Sequence, residues 1–192
     1  MFNLKFEVSH GFVPAGAADD PDGLSHCFSL NRRLEFGLFP DEIGALGPSV
    51  TALDGLFDRC PRLAQPCTVG RAIGPRLQYP LHLPGDRFRN MAFWSTSTHR
   101  ETAIGFFKAA HDGAAGALLE LRLPAGLPFY DRETIEGAGG HEMERLLPRG
   151  VLWEVGAGRP FDKNSLQPPH DGEQFSSVVE VVLTAGSVRR AR

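Results

Sequence analysis

The sequence of 192 residues holds three cysteines, Cys27, Cys60 and Cys67, with no metal-ligand spacing and an odd one left over, which argues against a disulfide framework. They read as reduced thiols without a functional role, so the chain is expected to fold in a reducing cytosol. The histidines are scattered, and neither His-x-x-x-His nor Cys-x-x-Cys occurs, so no metal site is expected. No apolar run approaches the roughly eighteen residues that a spanning helix requires, which sets aside a helical membrane protein. Charge of one sign is also lacking: 20 basic and 23 acidic residues leave a net charge of -3. There is no basic stripe to track a nucleic-acid backbone, and this disfavours a sequence-independent nucleic-acid binder. Internal repeats and low-complexity tracts are absent as well.

What is present suits one domain, residues 1–192, long enough to bury a core. Phe2, Leu4, Phe6 and Val8 alternate with polar neighbours, the pattern of a half-buried strand and not of a signal peptide. Pro14 to Ser25 reads as a loop, and Leu34, Phe36 and Leu38 suggest a short strand. Ser49 can cap a helix whose apolar positions are Val50, Leu53, Leu56, Phe57 and Cys60, with Pro61 ending it. Gly74 to Asn90 reads as an irregular connection. Strands are expected at Leu119 to Leu123, Val151 to Val155 and Val179 to Leu183. Strands outnumber helices after residue 65, which predicts a mixed α+β domain of two packed, mainly antiparallel sheets around a cleft.

Three stretches carry chemistry. In Glu142-Met143-Glu144-Arg145-Leu146-Leu147, an extended chain puts Glu142, Glu144 and Leu146 on one face. Two carboxylates side by side repel, so a developing positive charge or a cationic acceptor would reward the arrangement. An edge strand wearing solvated charges is the plainer alternative. In Phe93-Trp94-Ser95-Thr96-Ser97, the hydroxyls of Ser95 and Ser97 share a face and could hold a neighbouring carboxylate. Thr98-x-x-Glu101 then resembles a capping box, with Ala103, Phe106, Phe107 and Ala110 following at helical spacing. In the third stretch Arg71 shares a strand face with Cys67, Val69 and Ile73. A guanidinium aimed among apolar neighbours needs either an anionic ligand or an internal carboxylate.

Together, Val69-Gly70-Arg71, Phe93-x-Ser95-Thr96-Ser97 and Glu142-x-Glu144-x-Leu146-Leu147-Pro148-x-Gly150 resemble the toxin-type mono-ADP-ribosyltransferase family, in its Arg, Ser-Thr-Ser, Glu-x-Glu class. The resemblance covers residues 45–184, with the core motifs within 65–184. It implies that family's fold around an NAD cleft, with NAD as substrate and no metal. Arg71 would fork around the phosphates, next to Ala72. Glu144 would stabilise the oxocarbenium-like cation formed as the nicotinamide bond breaks, held in place by Ser95. Thr96 and Ser97 would shape the strand beneath. Phe106 falls where the family sets an aromatic against nicotinamide, although packing with Ala103 and Phe107 explains it equally. Glu142 would orient and help deprotonate the acceptor. The acceptor-facing turn would comprise Tyr130, Gly139, Gly140, His141 and Glu142.

The chain departs from the family at Gly70 and Ala72, where an aromatic and a Gly or Trp often flank the arginine. It departs again at Gly137 to Gly140, where an aromatic is often found. The resemblance favours transfer of ADP-ribose to a protein side chain, arginine before others, by a bacterial effector or toxin. It is expected to be a monomer that leaves its cell by a non-classical route and acts in a target-cell cytosol. Transfer to Thr or a nucleic-acid group, hydrolysis of NAD with water as acceptor, and a non-catalytic binding module stand as alternatives.

Overall fold

The computed structural model describes residues 30–31, 34–35, 47–73, 83–104, 116–131, 144–160 and 178–188. The strand expected at Met1 to Val8, the loop at Pro14 to Ser25 and the site candidates Phe106, Gly139, Gly140, His141 and Glu142 lie outside them. So do Phe36 and Leu38, whereas Leu34 is helical and not part of a strand.

Among the described residues a 13-residue helix, α1 (Gly47–Arg59), precedes eight strands: β1 (Cys67–Ile73), β2 (Arg87–Arg89), β3 (Trp94–Ser97), β4 (Gly116–Leu123), β5 (Tyr130–Asp131), β6 (Glu144–Leu147), β7 (Val151–Pro160) and β8 (Val178–Val188). Helix α1 begins two residues before the expected cap, so Ser49 lies inside the first turn and Pro48, which has no N–H to lose there, helps to start it. The Thr51 hydroxyl donates back to the Gly47 carbonyl at 3.1 Å. Its apolar stripe buries Val50, Leu53 and Phe57, a contribution of roughly 1.5–3 kcal/mol per side chain. Pro61 stands just beyond its end. The connection expected to be irregular up to Asn90 contains β2, because Arg87, Phe88 and Arg89 pair with Glu154, Trp153 and Leu152 of β7.

The strands run in the order β2-β7-β8-β4-β1-β3-β6-β5. Every neighbouring pair is antiparallel except β4 and β8. Strand β1 pairs with β4 at seven positions, from Cys67↔Leu123 to Ile73↔Ala117, but with β3 only at Gly70↔Ser97. The sheet is therefore two half-sheets, β2-β7-β8-β4-β1 and β3-β6-β5, joined at one point, which gives the mixed α+β architecture two faces to fill.

Two apolar clusters fill them. One gathers Leu30, Leu34, Val50, Leu53, Phe57, Phe93, Tyr130 and Leu146 beneath α1. The other gathers Val69, Ile73, Trp94, Leu119, Leu121, Leu147, Trp153, Val155 and Leu183. The alternation of β6 divides Leu146 from Leu147 between them, as a period of two requires. Phe57 stacks on Phe93 at 5.8 Å, and Trp94 stacks on Trp153 at 5.1 Å. Cys60 and Cys67 are free thiols; burial pushes Cys60 up to about 11 and raises Cys67 too, which keeps both protonated and unreactive at neutral pH.

The turn from β6 to β7 is fixed at Gly150, whose φ of 79° lies in the left-handed region. A side chain there meets its own carbonyl, so Gly150→Ala is expected to cost about 1–2 kcal/mol. Urea unfolding should show that loss, with Gly150→Asn retaining part of it.

Candidate active site

Strands β3 and β6 set the first part of the site. Their register places Ser97 opposite Glu144 and Ser95 opposite Leu146, so Ser95, Ser97 and Glu144 share one face. From the diagonal position the Ser95 hydroxyl donates to Glu144 Oε1 at 2.5 Å. That is the short length of a charge-assisted bond, and it fixes the carboxylate's orientation. Glu144 is 8% exposed, so this carboxylate is not an edge charge wearing solvent. Thr96 points to the other face, where its hydroxyl donates to the Arg145 carbonyl at 2.8 Å and locks the two strands together.

Arg71 arrives from the other half-sheet. Because β1 and β3 are paired only at Gly70↔Ser97, the Ser95 carbonyl beyond that point is not taken up by β1, and Arg71 NH1 donates to it at 2.8 Å. The guanidinium lies over the Trp94 ring, 5.5 Å from its centroid. Its Nε is buried and, among the described residues, has no hydrogen-bond partner. Leaving such a donor unmet costs about 1–3 kcal/mol. Among the described residues Arg71 bonds a carbonyl and no carboxylate, so the internal salt bridge that would have made it purely structural is not what the structure shows. Ser95 thus joins the other two: its carbonyl receives Arg71 and its hydroxyl holds Glu144.

The helix after β3 starts one residue later than the expected cap. Ser97 Oγ accepts from the His99 N–H at 3.0 Å, and the His99 carbonyl accepts from Ala103 N–H at 3.3 Å. The cap residue by that bonding is His99, and Thr98 precedes it. The hydroxyl of Ser97 therefore secures the strand-to-helix turn. The helical residues 100–104 pack directly on β1, where a Cβ at Gly70 would stand 3.2 Å from that of Ala103. An aromatic before Arg71 has no room, which gives the departure at Gly70 a physical reason. Ala72, two residues on, is half-buried.

Tyr130 is a correction. It lies in β5 and not in a turn, is 2% exposed, and packs in the core beside Leu146, so it does not present itself to an acceptor. Its neighbour Asp131 pairs with Arg145 at 2.9 Å on the other face of β6. Among the described residues no group of His, Cys, Asp or Glu could hold a metal ion.

Three partners of the site were not anticipated. Trp94 carries Arg71, and its place on the strand face opposite Ser95 was the available signal. Glu180 of β8, buried, receives Arg100 from the helix and Arg159 Nε of β7 at 2.6 Å. Arg149 forks onto Asp54 with contacts of 3.0 and 2.5 Å, tying the turn after β6 to α1. Pairs this distant in sequence leave no local pattern to read.

Neither the scan of protein-family models nor the search of curated proteins gave a match. The search of solved structures did. Plx2a, an ADP-ribosyltransferase toxin from Paenibacillus larvae, superposes with a TM-score of 0.58 at 18% identity, over 84% of this chain and 81% of that one. Exoenzyme S from Pseudomonas aeruginosa, in complex with human 14-3-3 protein beta and bound to Carba-NAD, gives 0.61 at 15% identity over 95% and 74%. The ADP-ribosyltransferase Vis in complex with agmatine gives 0.56 at 15% identity over 84% and 69%. The chain has the ADP-ribosyltransferase fold.

The fit of Ala103 on Gly70 is testable. Gly70→Val would drive three carbons, Cβ and both Cγ, towards the helix, an overpacking cost of about 1–3 kcal/mol, read as a lower urea midpoint with an unchanged slope.

Proposed function

We propose that this protein is a mono-ADP-ribosyltransferase that breaks the nicotinamide glycosidic bond of NAD and passes ADP-ribose to a protein side chain. The observation that carries this is the Ser95 to Glu144 hydrogen bond of 2.5 Å, with Arg71 bonded to the carbonyl of the same serine. Glycosidic cleavage develops positive charge on the ribose, and a fixed, buried carboxylate stabilises that charge without having to reorganise. Nicotinamide leaves without protonation, so no general acid is needed. The Arg71 guanidinium, half-buried and anchored through NH1 to the Ser95 carbonyl, carries further N–H donors of the kind that fork onto phosphate oxygens.

Glu142, Phe106 and the Gly139-Gly140-His141 turn keep the roles the resemblance gives them, with Glu142 orienting and helping to deprotonate the acceptor. A guanidinium acceptor has a pKa above about 12, so a second carboxylate beside it is chemically apt. Agmatine, bound by Vis, is itself a guanidinium compound, which favours arginine over threonine or a nucleic-acid group. The protein is then a bacterial toxin or effector that acts as a monomer in the cytosol of a target cell.

Incubation with labelled NAD and a target-cell lysate tests the reading. Transfer should label a protein, whereas free ADP-ribose with no labelled macromolecule would mean hydrolysis by the same site. Glu144→Gln should lower the rate of nicotinamide release about 10²–10³-fold. Arg71→Ala should chiefly raise KM for NAD. Full activity in Glu144→Gln would leave only a binding module.

A further inference from the structure

Asn90 is 0% exposed and sits between β2 and β3, and the motifs above do not include it. Its amide nitrogen donates to two carbonyls, Ala92 and Pro148, each at 2.8 Å. Its amide oxygen accepts from the Trp153 indole N–H at 3.1 Å. Its backbone adds two more bonds, accepting from Gly150 N–H at 2.7 Å and donating to the Val151 carbonyl at 3.3 Å. The orientation of the amide is dictated by its surroundings, since two carbonyls require the donor end and an indole N–H requires the acceptor end.

These partners are not scattered. Ala92 lies two residues before β3, which carries Ser95, and Pro148 directly follows β6, which carries Glu144. One side chain therefore clips the entry of the serine strand to the exit of the glutamate strand. Strands β3 and β6 pair over four residues only, Trp94 to Ser97 against Glu144 to Leu147. So short a ladder resists sliding weakly by itself, and a slip of one residue would turn Glu144 to the other face. The amide oxygen acts on the second half of the site: it holds Trp153, which stacks on Trp94, which lies beneath the Arg71 guanidinium.

We propose that Asn90 is a positioning residue that sets the Ser95 to Glu144 alignment through its amide nitrogen and steadies the platform under Arg71 through its amide oxygen. This rests on the NAD-cleaving reading of the site. Aspartate separates the two arms. Asn90→Asp keeps an oxygen for Trp153 but loses the donor to both carbonyls unless the new carboxyl is protonated. Glu144 acts on charge that develops in the transition state, so loss of its alignment falls on kcat, while the grip of Arg71 on the ground state falls on KM.

The experiment is the steady-state release of nicotinamide by the full chain, with thermal unfolding measured in parallel. Asn90→Asp should lower kcat about 10- to 100-fold near pH 8, the scale for a small displacement of reacting groups, and leave KM for NAD within about twofold. Burial among carbonyls favours the protonated carboxyl, whose O–H restores one donor, so its kcat relative to wild type should climb as the pH is lowered towards 6. Asn90→Ala should lower kcat and raise KM as well. Val181→Ala, at a buried position that takes part in none of these hydrogen bonds or ring contacts, should lower the unfolding temperature and leave kcat unchanged. In a Ser95→Ala background, Asn90→Asp should cost much less, because the alignment it supports is already gone.

The proposal is overturned if Asn90→Asp loses thermal stability alone, or if its kcat loss multiplies in full with that of Ser95→Ala. Should Asn90→Ala not fold, Asn90→Asp carries the test with the same outcomes. If Ser95→Ala and Glu144→Gln leave nicotinamide release untouched, the reading of the site fails and the positioning role with it. If those two lower kcat and Asn90→Asp does not, the positioning role alone is wrong.

Discussion

The structure turns on the single pairing of Gly70 with Ser97. A longer ladder between β1 and β3 would satisfy the Ser95 carbonyl within the sheet and leave Arg71 nothing to hold. No ladder at all would let the half-sheet that carries Glu144 drift from the one that carries Arg71. One point of contact keeps the halves together and still leaves polar backbone beside it, where a half-buried guanidinium can find a partner. Gly70 is small because a helix must cross that point, and the helix is held down from its far side by Glu180.

The polar groups around this junction are buried and specific, in contrast to the exposed pair of Arg87 and Glu154 on the sheet's edge. Exposed pairs contribute little, because solvent competes for both partners. Glu144, Asn90 and Glu180 are each buried, where an unmet polar atom is expensive and a matched one admits few arrangements. The site is thereby rigid in the part that the described residues cover: a serine, a carboxylate and a guanidinium joined through one residue's hydroxyl and carbonyl.

Much of this was legible in the sequence, and the reasons are local. The period of two set Ser95 with Ser97 on one face of its strand and Glu144 with Leu146 on one face of theirs, and the apolar company of Arg71 announced that it would be partly enclosed. The helix from Gly47 was visible in the spacing of Val50, Leu53 and Phe57. Where the reading slipped, longer-range forces decided. Tyr130 looked like the start of an open turn because the charged run Asp131 to Glu133 follows it, but Leu146 and α1 supply apolar surroundings from elsewhere in the chain. Strand β2 was hidden because three residues with prolines upstream carry no pattern, and only β7 makes them a strand. Asn90, Trp94 and Glu180 matter through partners tens of residues away, which no window of sequence displays.

The order of the strands has a further consequence. Strand β8, the last among the described residues, does not sit at an edge: it lies between β7 and β4 and joins the β2-β7 pair to the rest of the sheet. Until it is inserted, β7 and β4 each expose an unpaired, apolar edge, the kind that invites association with other chains. Its parallel match to β4 spans a long separation in sequence, so the closing step is entropically slow. A chain in which β8 failed to dock would thus leave two apolar edges open at once and the β2-β7 pair without a place in the sheet.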